Sequence, residues 1–350
     1  MDQLREVSKE KHRIISRYFP PWATILGMHS NLVYVDCFAG SGKYGKNEPG
    51  SPLIILKEAK NLIQQNKVKK FILIFIEKNQ EKAKLLESIL DATPNSRYNI
   101  EYYVFPEDAE NTTDEILEII PSQWPSFFFI DPYWHPIPLP TIKKILSQPR
   151  REVLLNLMWY SINRDLNNPQ SIESLNQMFG HHDWRNQTFM QLTGAEREEQ
   201  FLNYIEKQIE AEYSFNFRIR FGPDERITSN RTKYYLMHFS NHYKAVLIMK
   251  EAMYPLGDYE GAFDYSATQE GSLFNIGPNL SELKEILLKK YSGNNTRISF
   301  EDILKETYKL HFIEKHYRQA IKDMDGTKLN IQRVESQRTG LKGKDIIIFN

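Results

Sequence analysis

Apolar and polar positions alternate at two scales along this chain. Short, largely apolar runs read as strands at 32–36, Phe71–Ile76, Ile100–Phe105, Phe127–Ile130 and Glu152–Leu157, that of Phe71–Ile76 being fully apolar. Stretches with helical spacing separate them, at about 52–65, Gln80–Asp91, Thr113–Ile120 and Pro140–Ser147. A strand buried on both faces loses its alternation and becomes a continuous apolar run. Strands of this length alternating with helices predict an α/β fold built on a doubly wound, mostly parallel sheet. Before the first run, residues 4–28 read as an amphipathic helix broken at Pro20-Pro21. After the fifth, 160–213 becomes polar, with Asn163, Arg164, Asn167, Asn168, His181 and His182 around helices at 170–179 and 195–213; this is read as an insertion or cap. Strands return at Phe215–Phe221 and Tyr234–Ser240, followed by a helix at about 242–253.

The pattern changes again after Gly257. Gly261, Gly271, Gly277 and Pro278 mark a linker over 258–278. Helices follow at 280–291, 299–308 and about 312–324, then a two-stranded ribbon from Lys328–Glu335 and Asp345–Phe349. Three short helices and a ribbon form a winged-helix-like pattern, used both for DNA contact and for protein docking. The expected division is therefore 1–257, a linker, and 279–350.

Composition narrows the setting. The 350 residues carry 45 basic and 45 acidic side chains, which argues against a histone-like binder. Residues 281–350 hold 14 of the basic but only 10 of the acidic ones, so the tail is mildly basic and suited to face a nucleic acid. One cysteine, Cys37, rules out an intramolecular disulfide and a multi-cysteine zinc site. No apolar run reaches membrane-span length and the N-terminus lacks a secretory core, so a cytoplasmic protein with no membrane partner is expected.

The candidate chemistry sits where apolar runs end. Asp36 closes the first, followed by Phe38-Ala39-Gly40-Ser41-Gly42. Ligands of open α/β sheets bind at that edge, and the glycines permit a tight turn and close backbone approach. Asp36 can hold the ammonium of S-adenosylmethionine (SAM), and Glu77, closing the second strand, can accept from both ribose hydroxyls. Asp108, after the third, can accept from the adenine amine. Ser51, read as the cap of the next helix, can reach the methionine carboxylate. The bland alternative is a strand-to-helix turn with no ligand. A nicotinamide site would want a third glycine that Gly45 is displaced from supplying, and a P-loop would want Ser or Thr where Tyr44 stands.

Phe127-Phe128-Phe129-Ile130 runs into Asp131-Pro132-Tyr133-Trp134. A carboxylate accepting the hydrogens of an exocyclic amine turns the nitrogen lone pair toward a methyl donor. Pro132 stiffens the turn, and Tyr133 or Trp134 can stack on a flipped base. The alternative is a strand end with a proline turn and core aromatics. His181-His182-Asp183 lacks the further ligands of a metal site, so none is expected. Gly-x-Ser-x-Gly is absent. Arg226, Arg231 and Lys233 suit phosphate contacts or a solvated surface equally.

At these residues the chain resembles the three-Cys-motif partner family (TcmP). The likeness rests on Lys11-His12, Asp36-x-Phe38-Ala39-Gly40-x-Gly42-x-Tyr44, Gly50-Ser51-Pro52-Leu53, Phe129-Ile130-Asp131-Pro132, Glu152 to Asn156 and Arg164, with Tyr235-Leu236, Met249-Lys250 and the tail. It implies a Rossmann-like methyltransferase fold, SAM as cofactor, and a partner with a three-cysteine, radical-SAM-like motif. Several of the same segments are similar to a bacterial 23S ribosomal RNA adenine methyltransferase family, which carries Asp-Pro-Pro-Tyr where this chain has Asp131-Pro132-Tyr133-Trp134. That likeness places Lys11 near the reacting groups. The expectation is a methyltransferase acting on an exocyclic amine of a DNA or RNA base; the alternative is a non-catalytic SAM-binding partner that recruits the three-cysteine protein to nucleic acid.

Overall fold

The computed structural model describes residues 6–45, 48–93, 98–133, 137–221, 231–257, 263–265, 278–293, 296–334 and 340–350. The chain forms two compact units, Met1–Ala252 with Tyr265–Thr268, and Met253–Asp264 with Gln269–Asn350. Apart from 263–265 and Pro278, the expected linker lies outside the described residues.

The first unit is organised by β1 (Leu32–Asp36), β2 (Phe71–Ile76), β3 (Ile100–Phe105), β4 (Ser126–Ile130), β5 (Arg151–Leu157), β6 (Tyr213–Arg220) and β7 (Thr232–Ser240). They lie in the order β3-β2-β1-β4-β5-β7-β6. The first five are parallel, and β7 runs antiparallel to both β5 and β6. This is a doubly wound, mostly parallel sheet. The chain steps outward from β1 through β2 to β3 and then crosses back to β4 on the other side of β1, so the switch point lies between β1 and β4. β1 and β4 are buried at every position, which is why they read as unbroken apolar runs.

One face of the sheet is covered by α1 (Glu6–Leu26) and α2 (Ser51–Gln64). Phe19 packs on Tyr34 and Phe71, and Tyr18 and Trp22 pack on Phe127. The expected break in α1 does not occur: the helix runs through Pro20 and Pro21. An internal proline costs roughly 3 kcal/mol. Tyr18, Phe19 and Trp22 are at most 2% exposed, and burying apolar side chains of this size contributes about 1.5–3 kcal/mol each. Burial on both sides of the prolines outweighs their cost.

The other face is covered by α4 (Ala109–Ile119), α5 (Leu139–Leu146) and the stretch expected to be a polar insertion. That stretch forms α6 (Trp159–Asp165), α7 (Ile172–Phe179) and α8 (Gly194–Ile209). Trp159, Phe179, Trp184, Phe189 and Phe201 join Val35, Phe128, Val153 and Leu155 in one core. Its polar residues are the outer surface of a core layer. α3 (Gln80–Asp91) follows β2, and α9 (Tyr243–Met253) follows β7.

The second unit runs α10 (Leu280–Tyr291), β8 (Arg297–Ser299), α11 (Phe300–Glu306), α12 (Glu314–Met324), β9 (Leu329–Gln332) and β10 (Ile346–Phe349). The expected two-stranded ribbon is a three-stranded antiparallel sheet, β8-β10-β9. β8 is three residues long and begins with Arg297, too short and polar to show a strand period. Leu283, Leu287, Ile303, Tyr317, Ile321 and Ile347 fill this unit's own core, all fully buried.

Candidate functional site

Asp36 and Asp131 flank the switch point. Asp36 ends β1, and Asp131 is the first residue past β4. Asp36 is fully buried. Its Oδ1 accepts from the Phe38 backbone N–H at 3.2 Å, and the Ser51 hydroxyl hydrogen-bonds to the carboxylate. Burial raises its pKa from 3.8 to about 7; Ser51 and Phe38 oppose the rise, and Asp131 adds to it. Ser51 is therefore not the cap of α2. Gly50 occupies the cap position, and Ser51, the first helical residue, turns its hydroxyl to Asp36.

The glycine turn does what its composition requires. Gly40 and Gly42 have φ of +63° and +77°, where a side chain is strained. A Cβ on Gly40 would meet nothing within 4 Å, so the turn borders open space there. The Gly40 N–H donates to Glu77 Oε2 at 2.9 Å, and the Asn79 N–H donates to Oε1 at 2.8 Å. Glu77 thus ties the turn after β1 to the end of β2. Asp108 caps α4 by accepting from the Glu110 N–H at 3.0 Å, and Lys78 lies 2.6 Å from its other oxygen. That lysine holds the Asp108 carboxyl below the usual range. Asp36, Glu77 and Asp108 stand at the carboxyl ends of three strands, with the open turn at Gly40 beside the first two. A buried acid, room beside a positive-φ glycine and a carboxylate with spare lone pairs fit the ammonium and ribose of SAM.

Asp131 is held from two sides. Lys11 Nζ, from α1, lies 2.5 Å from Oδ2, with the two side chains 14% and 10% exposed. Asn156, in β5, donates through Nδ2 to Oδ1 at 2.7 Å. Pro132 is buried, while Tyr133 is 79% exposed. Trp134 lies outside the described residues. His12 is 6% exposed, and burial, with Lys11 beside it, lowers its pKa to about 4. Its ring centroid lies 6.0 Å from that of Tyr44, whose hydroxyl is pushed up by burial and then by Asp131. Phe38 lies partly buried against the core below the turn.

The structure thus joins Lys11 to Asp131, and Ser51 to Asp36, across long stretches of sequence. Asn156 and His12 had no assigned role from sequence, although a lone Asn inside Leu154-Leu155-Asn156-Leu157 is a signal, since an apolar strand has no use for an amide. His181 contacts Tyr204 and the Asp183 backbone. No group of three His, Cys, Asp or Glu could hold a metal among the described residues. Arg231 is exposed and Lys233 lies over the Phe221 ring at 5.7 Å; Arg226 lies outside the described residues. No helix among the described residues is long and apolar enough to cross a membrane.

No family model matches the chain, and no curated protein matches it. Solved structures share partial likeness. Protein LPL1258 of Legionella pneumophila, of family DUF519, is 13% identical with a TM-score of 0.42, over 68% of this chain and 86% of its own. The plantazolicin methyltransferase BamL is 12% identical with a TM-score of 0.35, over 68% and 87%. A Listeria monocytogenes protein assigned to the class I SAM-dependent methyltransferases is 9% identical with a TM-score of 0.32, over 65% and 60%. Likeness of this size carries no weight for function, which rests on the sheet and its edge.

Proposed function

We propose that the protein is a SAM-dependent methyltransferase acting on an exocyclic amine of a DNA or RNA base. The observation that carries this reading is the pair of acids astride the switch point, with Asp36 beside an open glycine turn and Asp131 fixed by Lys11 and Asn156. Bound SAM supplies a methyl group on a sulfonium. Asp36 would hold its ammonium, Glu77 its ribose hydroxyls and Asp108 its adenine amine, while Ser51 and the turn from Phe38 to Gly42 would border the methionine end. Asp131 accepts a hydrogen of the target amine, which concentrates the nitrogen lone pair. Transfer of that methyl would leave the sulfur as a neutral thioether, and the methylated nitrogen would lose its extra proton to water. Pro132 fixes the turn; Tyr133 or Trp134 stacks on the base.

Lys11 bears on the kind of amine. An ammonium 2.5 Å from Asp131 cancels most of its charge and repels a second cation. A lysine or arginine side chain is disfavoured at such a site, and a neutral base amine is not. The second unit's helix–strand–helix–helix–strand–strand order supports a winged-helix reading, and with its basic balance, a nucleic-acid or protein-docking role. The family resemblance adds a three-cysteine protein as partner.

A second reading, a non-catalytic SAM-binding partner, draws on the same ion pair: Lys11 already occupies one oxygen of Asp131. Tritium transfer from labelled SAM to single-stranded DNA and RNA oligonucleotides, with calorimetric SAM binding alongside, separates the two. Binding with transfer supports the enzyme, binding without transfer the adaptor, and no binding contradicts both.

A further inference from the structure

Asn156 sits in an apolar strand at 2% exposure. In the register of β4 and β5, Leu155 faces Ile130, so Asn156 lies one step further, level with Asp131. Its amide nitrogen donates to Asp131 Oδ1 at 2.7 Å and approaches Met158 Sδ at 3.4 Å. Its carbonyl oxygen is buried with no hydrogen-bond partner among the described residues. A buried polar atom left unpaired costs about 1–3 kcal/mol. Turning the amide over would set its oxygen against the carboxylate, so the orientation is dictated by Asp131. A leucine would fill this strand position without the unpaired oxygen. An amide kept at a cost to stability, aimed at the carboxylate proposed to meet the substrate, has a role outside folding.

We infer that Asn156 is a positioning residue for methyl transfer: it fixes the plane of the Asp131 carboxylate so that the target amine meets it in the reactive orientation. Lys11 fixes Oδ2 and Asn156 fixes Oδ1. With both held, the carboxylate cannot rotate about its last bond, and the remaining lone pairs point in set directions. Asn156 acts through Asp131 and makes no contact with substrate. This rests on the methyltransferase reading above.

Asn156→Leu and Asn156→Asp test it, in the full chain, with tritiated SAM and single-stranded RNA and DNA oligonucleotides of mixed sequence as probes. Asn156→Leu removes both the unpaired oxygen and the hydrogen bond to Asp131, two effects of similar size and opposite sign, so its melting temperature should change little and it should bind SAM within twofold. Its single-turnover rate should fall about 10- to 100-fold with little change in KM. Asn156→Asp is nearly isosteric but has no hydrogen to donate at neutral pH. It should be slow at pH 8 and recover as the pH falls and the new carboxyl regains a proton to give Asp131, a recovery the unmutated protein does not show. A merely structural Asn156 gives no such pH rescue. Unchanged rates in both variants, or equal loss of melting temperature and SAM affinity, overturn the role. If the unmutated protein binds SAM but methylates none of the probes, the methyltransferase reading falls and this inference falls with it.

Discussion

Lys11, in the N-terminal helix, sets its ammonium nitrogen 2.5 Å from Oδ2 of Asp131, the first residue beyond the fourth strand. The pair is mostly buried, and each charge is the other's compensation. Removing one partner of such a pair costs about 3–5 kcal/mol, because the survivor stays buried and uncompensated; removing both costs far less. Lys11→Met should therefore destabilise the fold by about 3 kcal/mol, and Lys11→Met with Asp131→Asn by clearly less. Denaturant melts of the two single variants and the double variant measure the coupling. Additive losses would show that the two side chains do not depend on each other.

SAM binding should respond to pH through Asp36. Burial raises its carboxyl from 3.8 to about 7, so near pH 6 it is mostly protonated, while an ammonium ligand favours the ionised form. Affinity should rise between pH 6 and pH 8, with release of a proton on binding at the lower end. The sign for folding is the reverse. The folded protein holds this proton more tightly than the unfolded chain, so stability falls as pH rises from about 4 through about 7. Calorimetry in buffers of different ionisation enthalpy detects the proton. Asp36→Asn should abolish both trends.

Glu77 and Gly40 should act together. The Gly40 N–H donates to Glu77 at 2.9 Å. Glu77→Ala should weaken SAM binding at least tenfold, about 1.5–3 kcal/mol for a charged acceptor. Gly40→Ala adds a methyl at a positive φ, a strain of about 1–2 kcal/mol, and fills the space the ligand needs. Its SAM affinity should fall more than its stability. Equal affinity in either variant would remove this turn from the cofactor site.

A chain ending at Gly277 should fold, bind SAM, and lose affinity for nucleic acid or for a docking protein. The second unit has its own core around Leu283, Ile303 and Tyr317. Failure to fold would contradict two separable units.

The inner strands β1, β2 and β4 were legible because burial on both faces writes them as apolar runs, and the glycine turn because glycine suits the φ of Gly40. The continuity of α1 was not, since Pro20-Pro21 is a local veto and the aromatics that overrule it find their partners, Phe71 and Phe127, far along the chain. β8 was invisible because three residues starting with an arginine have no period. At the site, Asp36, Glu77 and Asp131 showed themselves as acids ending apolar runs. Lys11 came only from family resemblance, and the part played by Asn156 depends on the β4–β5 register, which no local pattern encodes.

The most direct test of the central claim is single-turnover methyl transfer from labelled SAM by the unmutated protein, Asp131→Asn and Asp131→Ala, each with its melting temperature and SAM affinity. If Asp131 orients the target amine, the alanine variant keeps SAM binding and loses transfer. The asparagine variant keeps at most a trace, through the one carbonyl that can still accept a hydrogen. Full methyl transfer by a folded Asp131→Ala protein would contradict the account.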